Sequence, residues 1–203
     1  MISFIIPAHN SEKFLKRCVE SVVKEEKQSK DNNLAEVIII ENGSSDHTKQ
    51  IGTALAEKYE NVFLICSEKG VSNARNAGVK AAHGEWIFFL DADDYLPAGT
   101  LQKLLDTVNS GKAADLYIFS YEKGNAIVNV ATGENAYGYE GTGVRECLAG
   151  MLRNPTRCMA VWGKLFRHSI IQQSSLDFNK KLSLAEDSDF LIRYIMKCGR
   201  IIF

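Results

Sequence analysis

Short, uninterrupted apolar runs that alternate with amphipathic segments constrain this chain more than any other feature. The runs are ISFII, EVIII, NVFLIC, EWIFFL and ADLYIFSY, and most are followed by a segment with helical spacing of apolar residues. A strand covered on both faces of a sheet is apolar throughout, whereas a half-exposed strand alternates apolar and polar residues. The pattern therefore predicts an α/β fold with a doubly wound, mostly parallel sheet over residues 1–122.

Residues 123–203 show a different pattern, which predicts a smaller C-terminal region of the same domain. A segment rich in Gly, Asn and Tyr at 125–143 predicts a short strand and a flexible loop, and helical spacing returns at 144–154 and 186–198. The chain stops inside a last apolar run, RIIF, which reads as a strand. We expect the sequence to be a fragment that lacks its native C-terminus.

Composition excludes several classes of function. The formal net charge of −1 provides no overall field that would attract nucleic acid or an anionic membrane. The five cysteines contain no C-x-x-C pair, so neither a zinc site nor a redox pair is predicted. The sequence has no run with the length of a membrane span and no signal peptide pattern, and we expect a cytoplasmic protein.

Three polar clusters each follow one of the predicted strands. They are PAHN at 7–10, ENGS at 41–44 and DADD at 91–94. The carboxyl ends of parallel strands share one edge of the sheet, and ligands bind there near the point where the strand order reverses. The three clusters are therefore predicted to converge on one site.

The acidic cluster has two interpretations. Asp91, Asp93 and Asp94 repel one another unless a cation holds them, and no Lys or Arg lies within three positions. Carboxylate oxygens at this spacing suit Mg²⁺ or Mn²⁺, and a site with few protein ligands shares its metal with a diphosphate. Alternatively, Asp93 or Asp94 caps a following helix and the remaining acids are solvated.

Four further groups could act either in the site or only in the structure. Glu41 ends the second strand, where it could accept a hydrogen bond from a nucleobase or a ribose hydroxyl. Arg75 suits phosphate oxygens, although an isolated arginine is more often a surface residue. Asp187 and its acidic neighbours open a helix, either as a general base or as partners of the helix dipole. By default, Trp162 is a core residue and Lys164 part of a solvated basic edge.

The order of these motifs resembles that of the family 2 glycosyltransferases. The resemblance rests on SFIIPAHNSEKFLKRCVESV, VIIIENGSSDHT, GVSNARNAGVKAAHGEWIFFLDADDYL, VWGKLFRHSII and AEDSDFLIRY, which together cover nearly the whole chain. It implies a Rossmann-like nucleotide-diphospho-sugar transferase fold, with a nucleotide-sugar half at 1–122 and an acceptor-side region at 123–203.

The resemblance also implies roles for individual residues. The loop that holds the nucleoside corresponds to Pro7, Ala8, His9 and Asn10. The acidic position that reads the base or ribose corresponds to Glu41 and Asn42, where the family usually has two aspartates, so the base identity stays open. Arg75 is expected near the nucleotide. The D-x-D metal motif corresponds to Asp91, Ala92 and Asp93, with Asp93 as the main ligand of Mn²⁺ or Mg²⁺ and Asp91 in support. The E-D motif places the catalytic base at Asp187.

The implied reaction is an inverting, metal-dependent transfer of a sugar from a nucleotide-diphospho-sugar to an acceptor hydroxyl. UDP is the preferred leaving group, and the acceptor is a carbohydrate or a lipid-linked sugar in the synthesis of cell-surface polysaccharide or glycoconjugate. Such an acceptor would place the protein at the inner face of the membrane, in peripheral association.

Three alternatives belong to other classes of protein. FFLDADDYL also resembles the first motif of haloacid-dehalogenase-type phosphatases, but Tyr95 stands where those enzymes have Thr or Val. A nucleotidyltransferase of similar fold would need a Gly-rich basic loop after the first strand, which PAHNSEKF does not provide. A third alternative is a module that binds nucleotide-sugars and has lost its activity.

Overall fold

A computed structural model describes residues 1–28, 34–111, 113–124, 126–128, 130 and 138–203. The chain forms two compact units, Met1–Lys112 and Ala113–Phe203. The division precedes the fifth strand, because that strand pairs with strands of the second unit. Part of the predicted loop at 125–143, including 131–137, lies outside the described residues.

The first unit alternates strands and helices throughout. Its elements are β1 (Ile2–Ala8), α1 (Leu15–Gln28), β2 (Ala35–Glu41), α2 (Thr48–Lys58), β3 (Val62–Cys66), α3 (Val71–Ala81), β4 (Trp86–Phe89) and α4 (Thr100–Asn109). Strands β2 and β4 are buried along their whole length, as their continuous apolar runs predict. Strand β3 is partly exposed because it lies at the edge of this unit's sheet.

The four strands of the first unit lie in the order β3-β2-β1-β4, and every pair is parallel. Strand β1 pairs with β2 from Ile2–Ala35 to Ala8–Glu41, and with β4 from Ile2–Trp86 to Ile5–Phe89. The chain proceeds outward from β1 to β3 and then returns to the other side of β1, so the strand order reverses between β1 and β4. The predicted α/β fold with a mostly parallel sheet is confirmed.

The second unit is mixed. Its elements are β5 (Leu116–Ile118), β6 (Tyr121–Lys123), β7 (Ala126–Val128), β8 (Tyr139–Glu140), α5 (Gly143–Leu152), α6 (Pro155–Cys158), β9 (Lys164–Arg167), α7 (His168–Gln173), α8 (Glu186–Ile195) and β10 (Arg200–Ile202). The strands lie in the order β9-β5-β10-β8, with β5 and β10 parallel and the other pairs antiparallel, and β6 and β7 form a hairpin. The predicted terminal strand is thus confirmed.

Aromatic side chains fill the core of the second unit. Phe178 stacks on Phe190 with 4.1 Å between ring centroids, and Phe166 meets Tyr194 edge-on at 4.9 Å. The hydroxyl of Tyr194 donates to the carbonyl oxygen of Asp115 at 2.7 Å, which satisfies the polar end of a fully buried ring. These contacts anchor α8, which has Asp187 and Asp189 in its first turn, and β9, which begins at Lys164.

Helix α3 packs closely on β1 because it is built largely from small residues. Gly78 faces Ile5, and a Cβ atom at this glycine would clash with the Ile5 side chain. The absence of a side chain at Gly78 therefore sets the separation of helix and strand. This packing also fixes Arg75, which lies three residues earlier on the same helix.

We predict that Gly78→Ala destabilises the protein. Overpacking costs about 1–3 kcal/mol, and the clash with Ile5 places this substitution in the upper part of that range, at about 2–3 kcal/mol. The higher helix propensity of alanine returns about 1 kcal/mol, so the free energy of unfolding falls by about 1–2 kcal/mol. Urea denaturation measures the change, and Lys80→Ala at an exposed position of α3 is the control. Unchanged or greater stability in Gly78→Ala would contradict this account of the packing.

Candidate functional site

The predicted clusters of the first unit meet at the carboxyl edge of its sheet. Asn42 N–H donates to the Ala8 carbonyl at 3.0 Å directly after the last β1–β2 pair, and Leu90 N–H donates to the Ile5 carbonyl at 3.0 Å as β4 ends. The segments 7–10, 41–42 and 91–93 therefore leave neighbouring strands at the same edge. This edge includes the reversal of strand order between β1 and β4, where open α/β sheets bind ligands.

Polar side chains join the loop after β1 to the loop after β2. Asn10 has a left-handed backbone with φ of 50°, its N–H donates to Ser44 Oγ at 3.1 Å, and its Oδ1 accepts from Ser45 N–H at 2.9 Å. Ser11 N–H donates to Thr48 Oγ1 at 2.7 Å. These bonds satisfy backbone groups of both loops, so neither loop can move without the other.

Glu41 holds the loop that follows its own strand. It is buried, and Oε1 accepts a hydrogen bond from Ser44 N–H at 2.5 Å. Burial alone would raise the pKa of Glu41, but hydrogen bonds from Ser44 and Gly43 outweigh it and lower the pKa, so the carboxylate is ionised at neutral pH. Glu41 therefore has a structural task in addition to its predicted contact with the nucleoside.

Asn42 connects three segments of the site. Its Oδ1 accepts from Gly70 N–H at 2.8 Å, which fixes the residue before α3. Its carbonyl oxygen accepts from Nδ1 of His9 at 2.9 Å. A carbonyl can only accept, so Nδ1 carries the proton in this hydrogen bond. Ala8 has a fully buried side chain, and only its backbone can serve a ligand.

The acidic segment does not cap a helix. Helix α4 begins at Thr100 with Gly99 at its N-cap, whereas Asp94 N–H closes a tight turn onto the carbonyl of Asp91 at 3.0 Å. The alternative interpretation of Asp93 or Asp94 as a helix cap is therefore wrong. The carboxylates lie on a loop that precedes α4, so helix capping does not account for them.

Helix α1 holds this acidic loop from one side. Arg17 Nη2 donates to the backbone carbonyl of Asp93 at 2.6 Å, and the guanidinium lies 5.0 Å from the centre of the Tyr95 ring. One turn later on the same helix face, Ser21 Oγ accepts from Leu96 N–H at 2.9 Å. The sequence does not reveal these contacts, because Arg17 belongs to the polar face of an ordinary amphipathic helix.

Arg75 is buried, so its interpretation as a surface arginine is wrong. Its Nη2 lies 3.9 Å from Oδ1 of Asp91, whose side chain is 39% exposed. The fold therefore brings to the acidic cluster a cation that the local sequence does not contain. An arginine held beside a strand-end carboxylate suits phosphate oxygens that approach from solvent.

The acidic loop fits a hard divalent ion that is shared with a ligand. It offers only oxygen donors, and both burial and the adjacent Asp93 charge raise the pKa of Asp94, so added positive charge would be favourable. Within the part of the chain that the structure describes, no group of three or more His, Cys, Asp or Glu side chains could hold a metal on its own. Bound Mn²⁺ or Mg²⁺ would thus need further oxygens from a ligand.

The second unit contains the predicted base. Asp187 lies in the first turn of α8, after Ala185 with its left-handed φ of 62°, and its Oδ2 accepts from Val161 N–H at 3.2 Å. Asp189 in the same turn is instead paired with Arg193 at 2.5 Å. The acids of this turn therefore differ in environment, and Asp187 contacts the loop before β9.

Lys164 is the residue that the sequence interpretation placed wrongly. It is buried at the start of β9 rather than solvated, and burial lowers its pKa to about 8 despite the opposing charge of Asp187. Trp162, expected in the core, is only partly buried and meets Tyr121 edge-on at 4.4 Å. The run VWGKLFR gives no periodic signal that distinguishes a buried lysine from an exposed one.

No helix among the described residues is long and apolar enough to cross a membrane.

Comparison with known proteins gives several relatives that match over nearly the whole chain. The chain is 28% identical to a poly(ribitol-phosphate) beta-glucosyltransferase of Bacillus spizizenii, over 98% of this chain and 30% of that protein. Staphylococcus aureus TarS 1–349 in complex with UDP-GlcNAc matches with a TM-score of 0.75 and 25% identity, over 99% of this chain and 55% of that one. A mannosyltransferase from Pyrobaculum calidifontis, in complex with GDP-Man and Mn²⁺, shares the fold with a TM-score of 0.65 and 17% identity, over 99% and 53%.

This chain spans about half the length of the curated relatives that it matches, or less. The family model described as "Glycosyl transferase family 2" matches residues 3–172, which include β1 to β4 with all three polar clusters and extend through β9. With most of its length matched by that model, the chain belongs to glycosyl transferase family 2.

Proposed function

We propose that this chain transfers a sugar from a nucleotide-diphospho-sugar, with UDP-sugars preferred, to a hydroxyl of a carbohydrate or lipid-linked acceptor. The observation that supports it most is the acidic loop 91–94 beside buried Arg75, at the sheet edge where the strand order reverses. The relative that glucosylates poly(ribitol phosphate) supports a role in cell-surface polymer synthesis. We also propose that the protein acts in the cytoplasm, at the inner face of the membrane.

The first unit provides the groups that would bind the donor. His9 presents an exposed imidazole ring, Asn10 and Glu41 shape the loops that would enclose the nucleoside, and Arg75 offers a guanidinium to the diphosphate. Asp93, supported by Asp91, would hold Mn²⁺ or Mg²⁺. When such an ion is bound, it supplies positive charge that neutralises the departing diphosphate.

The proposed reaction needs a base for the acceptor hydroxyl, and we assign this role to Asp187. The hydroxyl oxygen attacks the anomeric carbon, its proton passes to the Asp187 carboxylate, and the bond from that carbon to the diphosphate oxygen breaks. The nucleoside diphosphate leaves with the electron pair. Attack from the face opposite the leaving group inverts the anomeric configuration. The hydrogen bond from Val161 N–H orients the carboxylate.

The experiment that tests this function is a screen of sugar nucleotides. Hydrolysis and transfer are measured with and without Mn²⁺, and calorimetric titration with UDP and GDP measures binding under the same conditions. Metal-dependent binding with turnover supports the proposal. Failure of every nucleotide to bind in the presence of metal would overturn it, and binding without turnover in a chain of the relatives' full length would identify an inactive binding module.

Asp93→Ala is predicted to abolish metal-dependent donor binding, because the substitution removes the main oxygen ligand of the ion. Titration with UDP in Mn²⁺ should show the Mn²⁺-dependent gain in affinity disappear, while the weak metal-free binding is retained. Asp94→Ala, which alters the neighbouring acid, is the matched control and should keep most of the gain. Equal losses in the two variants would contradict the assignment of Asp93.

Asp187→Asn is predicted to remove transfer and leave donor binding intact. Asparagine keeps an oxygen that accepts from Val161 N–H but cannot take a proton, so kcat should fall by about 10²–10⁴-fold with an unchanged Kd for UDP. Asp189→Asn, in the same helical turn, is the control. Turnover by Asp187→Asn near the wild-type rate would exclude Asp187 as the base.

A further inference from the structure

Lys164 is a buried cation that the proposed reaction does not use. Only 3% of its surface is exposed. Its Nζ donates to the carbonyl oxygens of Ala160 at 2.7 Å and of Trp162 at 3.5 Å. A buried ammonium is costly unless hydrogen bonds and opposite charge compensate it, and an uncharged side chain could fill the same space more cheaply. A lysine at this position therefore indicates a function that depends on the N–H donors or on the positive charge of its ammonium group.

A single peptide unit connects Lys164 to Asp187. The carbonyl oxygen of Ala160 accepts from Nζ of Lys164, and the N–H of the same peptide, which belongs to Val161, donates to Oδ2 of Asp187. None of the described peptide bonds is cis, so this C=O and N–H point in opposite directions within one plane. A donor on the oxygen thus fixes the plane and polarises the N–H toward the carboxylate.

The loop that contains this peptide is held at its other end as well. Gly163 has a left-handed backbone with φ of 68°, and its carbonyl oxygen accepts from Phe119 N–H at 2.9 Å. Val161 is fully buried. The loop is therefore fixed by β9 and by the segment after β5, and Lys164 sets the orientation of a peptide that donates to Asp187.

Charge reinforces this arrangement at neutral pH. Cys158 on α6 and Asp187 on α8 are the titratable groups that act on Lys164, and burial raises the pKa of Cys158, so this thiol is uncharged. The ammonium and the Asp187 carboxylate remain as an opposite pair joined through the peptide. Because burial lowers the pKa of Lys164 to about 8, its charge is lost in mildly alkaline solution.

We propose that Lys164 is the positioning residue for Asp187, acting through the Ala160–Val161 peptide to fix and polarise the hydrogen bond that orients this carboxylate. The inference rests on the proposed role of Asp187 as the base. In this proposal Lys164 acts on the base through the Ala160–Val161 peptide and not by contact with the reacting atoms. Its signature is an effect on kcat that depends on the presence of the Asp187 carboxylate.

A double-mutant cycle tests the proposal. Lys164→Met should lower kcat by about 10–100-fold, since misplaced catalytic groups cost up to about that factor, and should leave the donor KM and the Kd for UDP within about twofold of wild type. In the Asp187→Asn background the same substitution should change the residual rate by less than about twofold, because its target is already lost. Lys197→Met, at an exposed position, is the control.

Lys164→Gln has a side chain of the same length as methionine but retains an N–H donor for the Ala160 carbonyl. We expect it to recover part of the rate that Lys164→Met loses, since it restores the donor but not the charge. If Lys164→Met impaired kcat, the donor KM and the Kd for UDP to a similar extent, and its Tm fell as well, the role of Lys164 would be structural and the proposal would be overturned. A full effect of Lys164→Met in the Asp187→Asn background would also overturn it.

The pH profile of the wild type provides a measurement that does not depend on any variant folding. The kcat should decline as pH rises through about 8, where Lys164 loses its proton. Lys164→Arg, which stays charged, should lack this decline, and Cys158→Ser, which removes the thiol that acts on Lys164, should keep it. A wild-type kcat that stays constant up to pH 9 would contradict a role for the charge.

The Asp187→Asn and Lys164→Met variants together distinguish a failure of the proposed base from a failure of the proposed role of Lys164. If Asp187→Asn retains turnover, the assignment of the base fails, and the inference about Lys164 fails with it. If Asp187→Asn loses turnover while Lys164→Met keeps the wild-type kcat, the proposed reaction stands and only the role of Lys164 is overturned.

Discussion

The parallel pairing of β1 with β2 and β4 is the constraint on which the candidate donor site depends. Parallel strands place all their carboxyl ends at one edge, so residues that are 30 to 80 positions apart along the chain become neighbours there. The same pairing produces the reversal of strand order beside β1. Because the backbone of these strands is buried and fully paired, the loops that leave the edge start from fixed points.

Several side chains near this edge form hydrogen bonds that stabilise the loops, in addition to the contacts with a ligand that we propose for them. Asn10 binds the loop after β2, Glu41 binds the backbone of its own turn, and Asn42 fixes the residue before α3. Preformed loops reduce the entropy that a nucleotide would otherwise have to remove on binding. The family's usual acidic pair corresponds here to Glu41 and Asn42, and each side chain has a distinct hydrogen-bonding partner that accounts for its identity.

The sequence predicted the sheet and the position of its clusters but not the buried cations. Continuous apolar runs determine which strands are covered, and parallel topology then places Asp91 near the segment 7–10 without knowledge of any contact. Burial of Arg75 and Lys164 depends on tertiary packing, and a single charged residue has no periodic pattern that reveals it. The helix-cap interpretation of Asp94 failed for a related reason, since nothing local fixes the start of α4 as late as Thr100. The role assigned to Asp187 from the family resemblance stays a prediction.

Both acidic centres of the protein have a nearby cation that binds backbone rather than the key carboxylate. Arg17 donates to the carbonyl of Asp93, and Lys164 donates to the peptide that holds Asp187. A direct ion pair would occupy carboxylate oxygens and weaken both metal binding and basicity. Asp189, in the same turn as Asp187, has an oxygen occupied in this way by Arg193. A cation bound to the adjacent peptide instead orients the acid and supplies positive potential without competing for its oxygens. If Asp93 and Asp187 have the roles proposed for them, this arrangement separates acids that take part in chemistry from Asp189, which is paired within its own helix.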